Sequence, residues 1–106
     1  MELTRGTTPT ITINVKSEVD LSQVVAIWVY ISQNNKVKVD KVLSDVSFNV
    51  QARQIQLTLS QEDTLALKAG EALFQIRLLL SNQTALATIA TKIKINEVYK
   101  GGVISE

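Results

Sequence analysis

Residues 24–31 read VVAIWVYI, an apolar run with no charge and no hydrogen-bonding side chain apart from the polar tips of Trp28 and Tyr30. β-Branched and aromatic residues dominate it and suit a pleated surface, so it reads as a central strand. Side chains alternate along a strand, which lines up Val25, Ile27, Val29 and Ile31 on one side and Val24, Ala26, Trp28 and Tyr30 on the other. Both faces therefore ask for cover. Residues 32–36, SQNNK, follow as a hairpin turn, because asparagine tolerates the left-handed conformations that tight turns need. With Asn34-Asn35 as a two-residue loop in simple register, Tyr30 opposes Val39 and the Trp28 face turns inward. One extra loop residue or a bulge reverses this and buries Ile27, Val29 and Ile31, since the side-chain period is two. Three β-branched residues in register favour the second arrangement.

The same alternation recurs along the chain. In residues 10–16, Ile11, Ile13 and Val15 point inward, with Pro9 suiting an edge or a strand start. Residues 17–22 connect, with Leu21 tucked beneath the sheet. Val46, Phe48 and Val50 form a short strand, residues 51–54 turn, and Ile55, Leu57 and Leu59 alternate with polar neighbours. Ser60-Gln61-Glu62-Asp63 resembles a capping box opening a brief helix that ends by Gly70, with Leu65 and Leu67 plugging the core and Gly70 as a left-handed exit. From Glu71, Ala72, Phe74, Ile76, Leu78 and Leu80 share one face, and Leu73, Gln75, Arg77 and Leu79 the other. Residues 84–96 form the last strand, with Ile89, Thr91, Ile93 and Ile95 alternating with polar or small residues. The expected fold is all-β: one antiparallel, immunoglobulin-like two-sheet sandwich over residues 1–106, of about seven strands with one short helical turn, a turn-rich lead-in and a short C-terminal arm.

Composition then narrows the chemistry. The chain has 106 residues, neither histidine nor cysteine, and a net charge of +1 from 11 basic and 10 acidic side chains. Without His or Cys it lacks the usual nucleophile activator, thiolate and transition-metal ligands, so no enzyme and no cofactor is expected. A near-zero charge gives no electrostatic case for nucleic acid or an anionic membrane. The opening residues carry no signal-peptide pattern, and no apolar run is long enough to cross a bilayer as a helix. Hydrophobic residues make up 45% against 20% charged, a lean charge share that leaves apolar surface to spare.

Other candidates have plainer explanations. Glu62 and Asp63 suit a helix N-terminus better than an acid–base pair. Asp40 and Asp45 lack calcium-loop spacing. Lys92, Lys94 and Lys100, with Arg77, lack the interleaved aromatics of a single-strand nucleic-acid site. Gly101-Gly102 precedes no helix. Trp28 and Tyr30 remain, projecting from one face either as a stacking or anchoring platform or as cover for the residue 60–70 segment or the second sheet. With Leu73 and Leu79 they form the candidate interface.

Residues 3–10 (LTRGTTPT), 28–33 (WVYISQ), 57–64 (LTLSQEDT) leading to Lys68-Ala69-Gly70, and 97–104 (EVYKGGVI) resemble segments of small proteins from the structural-gene regions of phages and prophages of Gram-positive bacteria. The likeness covers most of the chain and is similar to the β-sandwich modules at the head of phage baseplate upper proteins. It implies a non-enzymatic virion component, of tail or baseplate, made in the host cytoplasm and working by homo-oligomerisation or by docking to other phage structural proteins. A free-standing carbohydrate-binding module built on Trp28 and Tyr30 is the alternative.

Overall fold

A computed structural model describes residues 1–106 except Ser17 and Ile89. The expected inward position of Ile89 and the Ser17 end of the first connection lie outside the described residues. Among the described residues there are nine strands: β1 (Glu2–Thr4), β2 (Thr10–Asn14), β3 (Val24–Gln33), β4 (Lys36–Lys41), β5 (Val46–Asn49), β6 (Gln54–Thr58), β7 (Gly70–Leu80), β8 (Ala85–Ala87) and β9 (Thr91–Asn96), with one short helix, α1 (Gln61–Leu65). One sheet runs β1-β9-β7-β3-β4, with β8 also on β7, and the other runs β2-β6-β5. In the lettering of immunoglobulin sandwiches, β2-β6-β5 is B-E-D and β9-β7-β3-β4 is G-F-C-C′. The fold is thus an immunoglobulin-like sandwich, fixed by its own strand order.

The seven expected strands become nine for two local reasons. The return strand after β7 is broken: Thr88 donates its N–H to the Ile76 carbonyl at 2.9 Å and accepts the Ile76 N–H on its hydroxyl at 3.0 Å. One residue thereby occupies both backbone groups of Ile76, and β8 and β9 pair with β7 on either side of it. The lead-in, expected as turn-rich with no strand of its own, supplies β1, which pairs parallel with β9 and buries Leu3. Its turn starts only after Thr4, where Gly6 takes a φ of +76°.

Both parts of the hairpin question after β3 are answered together. Asn34 and Asn35 adopt φ of 52° and 63°, the two left-handed residues of a tight two-residue turn. The register then shifts, with Ser32 opposite Val37 but Ile31 opposite Val39, so Lys38 is bulged out. That extra residue puts Ile27, Val29 and Ile31 in the core, each at most 2% exposed. A second shift lies between Val24 and Ala26. It corrects one expectation: Val25 does not join the inner row but is half exposed in the bulge, while Val24 packs against the core.

Between the sheets, Ile27, Val29 and Ile31 of β3, Ile76 of β7 and Ile93 and Ile95 of β9 meet Ile11 of β2 and Ile55 and Leu57 of β6. Each such side chain contributes about 1.5–3 kcal/mol by leaving water. Leu21 and Leu67 are buried as expected, with Leu65 only partly so. Val50, expected inward, is exposed, because the chain has already turned there: Arg53 N–H bonds the Val50 carbonyl and Arg53 sits at φ 55°. The helix is brief, as expected, ending at Leu65 with Ala66 as its C-cap, but Gly70, at φ +123°, opens β7 instead of serving as the helix exit.

Candidate functional site

Once the Lys38 bulge commits the odd residues of β3 to the core, the even ones have only one direction left. Ala26, Trp28, Tyr30 and Ser32 point away from the second sheet, opposite Leu79, Arg77, Gln75 and Leu73 of β7. Val37 and Asp40 of β4 flank Ser32 and Tyr30 on the other side. All four sequence-derived candidates, Trp28, Tyr30, Leu73 and Leu79, therefore share this outer face. Trp28 is 53% exposed, Val37 56% and Leu73 39%, whereas Tyr30 and Leu79 are partly buried. Neither α1 nor the second sheet covers Trp28, so the reading of it as internal cover does not hold within the chain.

Side-chain chemistry on this face is local. The Arg77 guanidinium lies 5.0 Å from the Trp28 ring centroid, a cation–π contact across the β3–β7 pair. Tyr30 donates its hydroxyl to Gln75 Oε1 at 2.5 Å, and Gln75 Nε2 donates to the Thr88 carbonyl at 2.7 Å. Two shallow hollows flank the indole. One, of about 380 Å³, is lined by Trp28, Tyr30, Val37, Asp40 and Arg77. The other, of about 220 Å³, is lined by Ala26, Trp28, Arg77, Leu78, Leu79 and Ala85. Asp40 and Arg77 thus border the same hollow, yet among the described residues neither forms an ion pair with the other or with any third group. Val37 and Asp40 were not singled out from sequence as members of this face; Arg77 was placed on the same side of its strand as Leu73 and Leu79, but its stacking on Trp28 was not expected. The Val37–Ser32 pairing was readable, but Asp40 reaches Tyr30 only through the bulge.

The other candidates fall elsewhere. Asp63 completes the expected capping box: its carboxylate accepts the Ser60 N–H at 2.9 Å and its own N–H donates to Ser60 Oγ at 3.1 Å. Burial works against the charged form of Asp63, but the Ser60 N–H, the Lys41 ammonium at 2.9 Å and the Ser60 hydroxyl outweigh it and hold the carboxyl below the usual range. Asp45 accepts the Val42 N–H at 2.9 Å, which is turn chemistry. Lys92 and Lys94 approach Glu71 and Glu2 at 3.9 and 4.0 Å, so the hollow of about 450 Å³ at that sheet edge has matched charges. Among the described residues no group of three or more acidic, His or Cys side chains comes together as metal ligands.

One buried polar group escaped the sequence reading. Gln33, 7% exposed, donates Nε2 to the Lys68 carbonyl and accepts the Lys68 N–H, both at 2.8 Å. Its carboxamide acts as a surrogate strand that ties the loop after α1 to the β3–β4 hairpin. The C-terminal arm is held in a similar way, by Gln61 on the N–H and carbonyl of Ile104 at 2.7 and 3.2 Å, while Tyr99, Val103 and Ile104 stay exposed.

No family model matches the chain, and no curated protein matches it. Among solved structures, the V domain of amphioxus IgVJ-C2 aligns over 91% of this chain and 99% of that one at 11% identity, with a TM-score of 0.35. CopC from Methylosinus trichosporium OB3b aligns over 92% of this chain and 85% of that one at 13% identity, with a TM-score of 0.53. This chain is therefore similar to CopC in fold, and at that identity the likeness extends to the fold alone.

Proposed function

We propose that this domain is a non-enzymatic assembly module that docks a protein surface on the outer face of its six-stranded sheet. The observation that carries the reading is the half-exposed Trp28, on the same outer face as Val37, Leu73 and Leu79 and met there by the Arg77 guanidinium. A buried-quality aromatic displayed beside an arginine is the usual composition of an anchoring cluster at protein interfaces. The absence of histidine and cysteine from the sequence supports a role without catalysis. The sequence resemblance to small phage and prophage structural proteins supplies the setting, a virion component of tail or baseplate. That setting is supported by the resemblance alone.

A second reading has its own support. An exposed indole with a carboxylate and a guanidinium bordering the adjacent hollow is also a platform on which a sugar ring can stack while its hydroxyls hydrogen-bond. Light scattering over a concentration series, run beside a glycan array, separates the two. The assembly reading expects no glycan signal, and any rise in mass with concentration to be abolished by Trp28→Asp. A specific glycan signal lost on Trp28→Ala, with constant mass throughout, would overturn it.

A further inference from the structure

Asp40 and Arg77 border one hollow on opposite sides of β3, the carboxylate on β4 and the guanidinium on β7, and among the described residues neither has an ion-pair partner. Opposite charges on either side of an apolar centre, each without a partner, form a self-complementary pattern. In a two-fold contact, residue i meets residue j of the partner and j meets i. Setting the axis in the plane of the contact, running obliquely along β3 and passing between Trp28 and Tyr30, brings the carboxylate of one copy to the guanidinium of the other, twice, with the aromatics between them.

Resting on the docking-face reading above, we propose that the occupant of this face is a second copy of the chain, packed face to face in a two-fold dimer with two reciprocal Asp40–Arg77 ion pairs. Area is sufficient. The molecule is a slab of 46 × 32 × 18 Å, and this sheet forms one broad side. A stable interface needs about 800 Å² from each partner, well within that side. Charge placement argues for a copy of this chain over an unrelated partner, because the Asp40 and Arg77 charges on either side of the aromatics complement each other across a two-fold contact. The Trp28–Arg77 contact adds to this, since it holds the guanidinium up against the indole at 5.0 Å, where a facing carboxylate would meet it.

The reciprocal arrangement has a distinctive test. Asp40→Arg alone sets two arginines against each other in both pairs, and Arg77→Asp alone sets two aspartates. A one-to-one mixture of the two variants restores opposite charges in both pairs at once. Sedimentation velocity on the wild type, each variant and the mixture is expected to show dimerisation weakened at least about tenfold in each variant and recovered in the mixture. Thermal melts of each variant check that these exposed substitutions leave the fold intact, and Asp40→Asn with Arg77→Gln, each weakening dimerisation less than the charge reversals, repeats the comparison should a reversal misfold. A wild type that dimerises through Trp28 while the mixture stays monomeric overturns the reciprocal pairing and leaves the docking face standing. A dimer indifferent to Trp28→Asp overturns both. A wild type that stays monomeric at about 1 mM overturns the second copy as occupant.

Discussion

β3 presents two faces that differ in what they tolerate. Ile27, Val29 and Ile31 alternate with Trp28 and Tyr30 along one backbone, each residue about 3.4 Å from the next, yet the first three are within 2% of complete burial and Trp28 is half exposed. The inner row belongs to the apolar core cluster between the sheets and is specified by shape. The outer row carries a cation–π pair, a tyrosine–amide hydrogen bond and two uncompensated charges. One face consumes its hydrophobic residues in folding, and the other keeps them available. Hydrophobicity is common to both rows, so what separates them is the side of the sheet on which the second sheet sits.

The sharpest way to test that contrast is to cut into the inner row. Ile27→Ala removes a side chain 2% exposed and leaves a cavity between the sheets that neighbouring rigid strands close only in part. A loss of about 2–5 kcal/mol is expected, read from urea denaturation with an unchanged m-value. A loss under about 1 kcal/mol would mean that the core relaxes around the hole and that the inner row is not held by shape.

Much of this division was legible in the sequence. The hydrophobic period marked β2 to β7 and β9 but not β1, the Ser60–Asp63 box marked the helix start, and three aligned β-branched residues marked the inner face of β3. What could not be read were the positions where a side chain takes over a backbone role. Thr88 breaks one strand into two, and Gln33 serves Lys68 as a strand would. Neither leaves a periodic trace. The Val25 bulge was hidden for a related reason: Val24 and Val25 are chemically identical, so the pattern cannot say which one the sheet expels. Asp40 joined the outer face only because Lys38 is bulged, and a one-residue shift is invisible to composition.

A smaller effect should appear with pH. Among the described residues the only buried polar side chains are Gln33 and Thr64, so the inner face contributes no titration, and any carboxylate dependence must come from its margins. Asp63 is the clearest source, since its folded pKa lies below its ordinary value. A depressed carboxylate stabilises fully above its unfolded pKa, about 3.9, and loses that contribution as pH falls through the folded value. Asp63→Asn keeps an acceptor for the Ser60 N–H but loses the charge facing Lys41 and the helix N-terminus. It should cost about 0.5–1 kcal/mol at neutral pH, a difference constant above about pH 5 that shrinks below about pH 4. A difference that persists unchanged at pH 2–3 would place the effect in packing instead of charge.

The smallest expected effect on the fold is the most informative about the outer face. Trp28→Ala deletes the largest side chain in the protein, and if size alone mattered it would be the most damaging substitution. Yet half of the indole is already in water, it fills no space between the sheets, and its named polar contact is with an exposed arginine. An exposed cation–π pair contributes about 0.5–1 kcal/mol, so the monomer should lose about 1 kcal/mol or less. The measurement must be made at low micromolar concentration or below. At higher concentration a self-associating wild type gains stability by mass action, and the variant would then seem to lose what is really dimer binding. The gap between wild-type and Trp28→Ala melting temperatures should therefore widen as concentration rises. A stability loss of several kcal/mol that ignores concentration would show the indole to be part of the fold, and the two faces of β3 would no longer differ in kind.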